Sequence, residues 1–209
     1  IKRLYSSEKK ILSKLENKKS NSDDEDNLYD KLTVVRKLLK ISEQLKFSED
    51  VKTLINSNIL IISGEMGTGK SQLLANTAKK IIDNDNLVIL SLGQTYINDE
   101  SIEKQFLKSL KGDISNISFE DILKNMDEYA YLNNCYSVIF IDAINESNNR
   151  DIWRHGINSL ISVINKYPRI RLVISLRTGF EKLTLSEKVI NDITEGAIAS
   201  ITHRGLDHE

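Results

Sequence analysis

At 209 residues the chain is long enough to bury a full hydrophobic core, and its 29 Lys+Arg against 30 Asp+Glu leave a net charge of -1, with no positive excess to attract nucleic acid or an anionic membrane. The single cysteine, Cys135, excludes an internal disulfide and a cysteine-based zinc cluster. It fits a reducing, cytoplasmic setting, with the thiol as core filler leading into a strand. No stretch reaches the roughly 18 continuous apolar residues of a membrane helix, and no signal peptide is visible. A start at Ile1 without an initiator Met and an end at Asp207-His208-Glu209 are expected of a segment of something longer.

In chain order, residues 2–16 carry Leu4, Tyr5, Ile11, Leu12 and Leu15 at helical spacing, and residues 28–46 repeat the pattern with Leu32, Val35, Leu38, Leu39 and Leu45. Two amphipathic helices are predicted, joined by a mobile polar link over Lys18 to Asp26. A turn of helix follows, capped by Ser48 with Glu49 and Asp50 in its first turn. This N-terminal helical segment, residues 1–50, precedes a domain over 51–209 in which short apolar runs alternate with segments of helical period. That alternation predicts βαβ units and a parallel sheet, so the fold class is α/β. The strands are expected at Ile59 to Ser63, Leu87 to Leu92, Ser137 to Asp142, Ile170 to Leu176 and Ala197 to Thr202. Their near-continuous apolar character predicts cover on both faces. Between them, Asp99 caps a helix closing near Gly112, Ser118 and Asp121 form a capping box, and Pro168 follows a helix through Trp153 and Ile164.

Gly64-Glu65-Met66-Gly67-Thr68-Gly69-Lys70-Ser71 fits G-x-x-x-x-G-K-[ST] at every fixed position, after a predicted strand and before a helix carrying Leu73, Leu74, Ile81 and Ile82. Glycines let successive backbone N–H groups turn inward around phosphates, and the helix N-terminus adds partial positive charge. A phosphate cradle is therefore expected from Gly64, Gly67, Thr68, Gly69, Lys70, Ser71 and Gln72. Lys70 reaches the β- and γ-phosphates, and Ser71 ligates Mg²⁺.

Mg²⁺ and an attacking water also need carboxylates opposite the loop. Ser137 to Asp142 is an apolar strand ending in an acid; alone this is a weak pattern, but with the loop upstream it reads as a Walker B strand. Asp142 is the candidate metal-holding residue and Glu146 the candidate base. Arg177 ends the next strand, where open α/β sheets place ligands, and is a candidate sensor of the γ-phosphate. Guanine specificity calls for Asn-Lys-x-Asp, and the nearest match, Asn165-Lys166-Tyr167-Pro168, ends in proline, which favours adenine. His155, His203 and His208 lack metal-ligand spacing and read as surface or turn residues, while Trp153 shares an apolar helix face with Ile157, Leu160, Ile161 and Ile164.

Together these motifs resemble those of STAND ATPases, the NACHT-related signalling NTPases, and most closely the prokaryotic antiviral STAND proteins. The matches are the loop Gly64 to Ser71, Leu92-Gly93-Gln94, Ile141-Asp142-Ala143-Ile144-Asn145-Glu146, Ser175-Leu176-Arg177-Thr178-Gly179-Phe180-Glu181, and Ile201-Thr202-His203-Arg204-Gly205. The resemblance implies a P-loop αβα sandwich with a five-stranded sheet, the Arg177 strand lying between the loop strand and the Asp142 strand. It also implies ATP and Mg²⁺ as cofactors, with Lys70, Asp142, Glu146 and Arg177 at the reaction centre and Ser71 and Asp142 at the metal. Members self-associate into homo-oligomers on activation, sense a phage protein through a separate sensor domain and switch on an attached effector. Asn145 stands where related proteins often carry a second acid, which implies slow, regulatory hydrolysis. An AAA-like working ATPase acting on protein or nucleic acid, and a non-hydrolysing assembly scaffold, are the rival expectations.

Overall fold

The computed structural model describes residues 31–37, 53, 56–110 and 116–205. The chain divides between Ser48 and Glu49 into two units. In the first, residues 31–37 are helical, within the helix predicted over 28–46. The helix predicted over 2–16, the link after it and the Ser48 cap lie outside the described residues.

In the second unit the elements alternate as the apolar pattern requires. They are β1 (Ile59–Gly64), α1 (Lys70–Ile82), β2 (Val88–Leu92), α2 (Ile102–Ser109), α3 (Phe119–Leu132), β3 (Ser137–Asp142), α4 (Asp151–Ile164), β4 (Ile170–Arg177), α5 (Glu181–Thr184), α6 (Glu187–Thr194) and β5 (Ala199–Thr202). All pairings are parallel, in the order β2-β3-β4-β1-β5. β4 thus lies between β1 and β3.

Side chains alternate across a strand with period two, and that alternation makes the layers. On one face Ile59 and Ile61 of β1, Ile139 and Ile141 of β3, and Leu172 and Ile174 of β4 join one core with Phe106, Leu123, Trp153 and Ile157 from α2, α3 and α4. On the other, Ile62, Val138, Phe140 and Val173 pack with Leu74 and Ala78 of α1. Each of the larger apolar side chains contributes about 1.5–3 kcal/mol on burial, which favours covering both faces. This is the three-layer fold of P-loop NTPases, with a five-stranded, all-parallel sheet.

Three expectations need correction. The edge strands are covered less than predicted: Leu90 and Leu92 of β2 and Ile201 of β5 are exposed, because each edge strand pairs on one side only. β5 begins at Ala199, not Ala197, since the amides of Ala197 and Ile198 both donate to the Asp192 carbonyl and close the turn after α6. The cap of α2 is Ser101, whose hydroxyl accepts the Lys104 amide, and not Asp99. The buried amide of Gln105 explains the shift. Its Oε1 accepts from the amides of Ile97 (2.8 Å) and Asn98 (3.3 Å), and its Nε2 donates to the carbonyls of Asn98 (3.1 Å) and Glu100 (2.7 Å). The backbone before Ser101 is thereby committed to a side chain instead of a helical turn. α2 ends at Ser109, and Gly112 lies outside the described residues. The capping box at Ser118 and Asp121 is present at α3, and α4 runs as predicted into the turn before Pro168.

Candidate functional site

Parallel strands end together, and here the register sets the site. Gly64 pairs with Arg177 across β1 and β4, and Leu92 with Asp142 across β2 and β3. The chain leaving β1, β3 and β4 therefore meets at the C-terminal edge of the sheet, where open α/β folds bind ligands. A cleft of about 480 Å³ opens there, lined by Gly67, Gly69, Lys70, Ser71, Gln72, Asp142, Asn145, Glu146, Arg150, Arg177 and Phe180, with Met66 and Ala143.

The loop after β1 reaches this edge because Gly67 (φ 79°) and Gly69 (φ 88°) take left-handed backbone that other residues rarely adopt. Gly69 caps α1 without any side-chain bond to the first turn, and no acid lies in that turn. The helix presents its leading N–H groups and partial positive charge to the cleft, an arrangement suited to phosphate. The Lys70 ammonium donates to the carbonyls of Gly64 and Glu65, each at 2.7 Å. Burial holds it below the ordinary lysine pKa, opposed by the nearby Asp142 and Glu65 carboxylates. Gly64 and Thr68 sit behind the lining. A side chain at Gly64 would meet the His203 carbonyl at 2.5 Å, and Thr68 Oγ1 donates to the Glu65 carbonyl at 2.9 Å.

Asp142 is buried, and it accepts a hydrogen bond from Ser175 Oγ, which in turn accepts the Ala143 amide at 2.8 Å. This fixes the carboxylate at the mouth of the sheet. Ala143 then turns the chain at φ 55°, a left-handed conformation, into a 3-10 turn over Ile144–Glu146 that presents Glu146 on the exposed side of the cleft. Gly93 permits the turn, because a Cβ there would lie 2.1 Å from the Ala143 carbonyl oxygen. A buried chain holds the two loops together: Trp153 Nε1 donates to Ser147 Oγ (2.6 Å), and that hydroxyl donates to the Gly93 carbonyl (2.9 Å). The Leu92-Gly93-Gln94 motif is thus a packing surface for the acidic loop. Trp153 is core, as its helix face predicts.

Sequence reasoning placed Lys70, Ser71, Gln72, Asp142, Glu146 and Arg177, and the structure brings all of them to one cleft. It missed Arg150, at the start of α4, whose only sequence signal is a basic residue soon after the acidic strand. It also missed the work of Asn145, which accepts the Arg177 amide on Oδ1 (2.9 Å) and Arg150 Nε on its carbonyl (2.8 Å). His203 departs from the surface reading: it is half-buried, its Nε2 lies 2.9 Å from the Thr68 carbonyl, and its amide donates to Ser63 at 2.7 Å. β5 hands the chain straight onto the phosphate loop, which spacing alone does not reveal. His155 is exposed, and His208 lies outside the described residues. Asn165 to Pro168 lie between α4 and β4, at the sheet edge opposite the cleft.

The donor set fits a magnesium-bound triphosphate: a hydroxyl on Ser71 and a fixed carboxylate on Asp142 are the hard oxygen ligands this cation takes, and the uncapped helix start with Lys70 suits phosphate oxygens. No protein-family model and no curated protein matches the chain. Among solved structures, DnaA from Aquifex aeolicus bound to AMPPCP is similar at TM-score 0.48 and 14% identity, over 91% of this chain and 49% of that one. The ORC2 protein of Aeropyrum pernix in ADPNP–ADP complexes gives 0.42 and 14%, over 75% and 46%. PCH-2 from C. elegans gives 0.40 and 20%, over 83% and 41%. The chain thus spans at most about half of each of these, and at such identities the likeness concerns the fold alone.

Proposed function

We propose that this chain is the Mg-ATP-binding core of a STAND-type switch: a slow, regulatory ATPase whose ATP-bound form associates with copies of itself. The observation that carries the reading is the meeting of Lys70, Ser71, Asp142, Glu146 and Arg177 in one cleft at the C-terminal edge of the sheet. The loop amides and Lys70 hold the β- and γ-phosphates, and Arg177 faces the terminal one. Mg²⁺, held by Ser71 and by Asp142 through water, would neutralise charge on the triphosphate. Glu146 orients a water whose oxygen bonds the γ-phosphorus as the bond to the bridging oxygen breaks, leaving ADP and phosphate. Adenine is preferred on the absence of a guanine-reading motif.

The slow rate follows from the base. Glu146 stands on an exposed turn, where water competes for it, and electrostatic preorganisation away from water is the larger part of such catalysis. The antiviral setting, with a phage-protein sensor and an effector outside this chain, rests on the resemblance of the motifs. An AAA-like working ATPase would use the same cleft at a higher turnover, and a pure scaffold would not use Glu146 at all. Measuring ATP turnover of the parent and of Glu146→Gln separates them. We expect slow turnover that falls by about 10²-fold or more in the variant, with ATP affinity kept. Equal rates in the two proteins would remove Glu146 as the base.

A further inference from the structure

We propose that Arg150 is a second residue that reads the terminal phosphate, paired with Arg177 through Asn145 and Phe180, so that the cleft discriminates a nucleoside triphosphate from a diphosphate. The proposal rests on the nucleotide reading of the cleft. Arg150 and Arg177 come from different elements, the start of α4 and the end of β4, yet line the same cleft as Lys70. One residue ties both to the acidic loop. The Asn145 carbonyl accepts Arg150 Nε at 2.8 Å, and its side chain accepts the Arg177 amide at 2.9 Å. One ring carries both charges: the Arg150 guanidinium lies 5.0 Å from the Phe180 centroid and that of Arg177 lies 5.9 Å from it. The turn that carries Phe180 is itself fixed, its amide donating to the Arg177 carbonyl at 3.1 Å and Gly179 taking φ 88°.

Among the described residues neither guanidinium forms an ion pair, and Arg150 donates there through Nε, to the Asn145 carbonyl, and not through its Nη groups. Two like charges gathered on one ring repel each other, a cost that the ring's attraction offsets in part. An anion between them reverses the balance. With Lys70 reaching the β- and γ-phosphates, the group that arrives beside β3 and β4 is the γ-phosphate, which a diphosphate lacks. Guanidinium forks suit phosphate oxygens, and charge-assisted bonds of this kind are the strong ones. Arg150 therefore contributes to binding of the triphosphate and not of the diphosphate.

The test is titration of the parent, Arg150→Gln and Phe180→Leu with Mg-ATP and with Mg-ADP. Arg150→Gln should weaken ATP about tenfold or more and leave ADP within about twofold, so the unchanged ADP affinity certifies the fold. Phe180→Leu, which removes the ring but neither charge, should weaken ATP by a smaller factor in the same selective way. An unchanged ATP-to-ADP ratio in Arg150→Gln, or an equal loss for both nucleotides, overturns the proposal while leaving the nucleotide site intact. A parent that binds neither nucleotide overturns the site reading and this inference together.

Discussion

Gly93 and Ala143 show how much of the site depends on single backbone positions. The Ala143 carbonyl lies where a Cβ on Gly93 would sit, and the three nearest atoms, from Ala143 and Ile144, are all backbone, so none can yield by a rotamer change. Gly93→Ala should destabilise the protein by about 3 kcal/mol, the upper part of the usual overpacking range, read as a lower urea midpoint. A near-neutral result would mean that the Asp142 loop moves freely, against the picture of a fixed carboxylate. Lys70 gives a second prediction at this scale. Burial lowers its pKa, so the folded protein disfavours the ammonium that phosphate needs. The sign follows: ATP affinity is full below the lowered pKa and falls as pH rises through it, beginning before the ordinary lysine value of 10.5. Unliganded stability moves the other way, gaining as the desolvated charge is lost. Affinity that stays flat from neutral pH to that value would contradict the assigned role.

At the scale of elements, the acidic loop is held less by β3 than by what α4 and the loop after β2 do to it. Trp153 reaches from α4 to Ser147, and Ser147 to Gly93, with the Tyr96 ring tilted against the indole at 4.6 Å between ring centroids. Ser147→Ala would leave the indole N–H buried without a partner, at a cost of about 1–3 kcal/mol. We expect a lower melting temperature and slower ATP turnover, with ATP affinity little changed; full turnover would show that the network does not set the position of Glu146. This network marks the limit of what spacing reveals. Trp153 was legible as core because its helix face is apolar, and the capping box at Ser118 because its signal is local. The Gln105 amide that displaced the cap from Asp99 to Ser101 acts over seven residues on backbone groups, and no residue pattern announces such a bond.

For the molecule as a whole, the parallel sheet was legible because each of β1 to β4 is a short apolar run followed by a helical period. The strand order was not readable from periodicity; it came from the family resemblance, and the pairing of β4 between β1 and β3 agrees with it. That the loop before α1, Asp142, Glu146 and Arg177 share one cleft was legible because each stands at or just after the C-terminal end of a parallel strand. Arg150, Asn145 and His203 were not, since each acts through a contact between segments far apart in the chain or through a carbonyl that any residue could offer. Every proposed role requires that the cleft at the C-terminal edge binds Mg-ATP through the loop before α1. Calorimetric titration with ATP and with GTP in Mg²⁺, on the parent and on Lys70→Ala, tests it most directly. ATP-selective binding by the parent that is lost in the variant is the expected result; no binding by the parent, or equal binding by the two proteins, would overturn the proposed site.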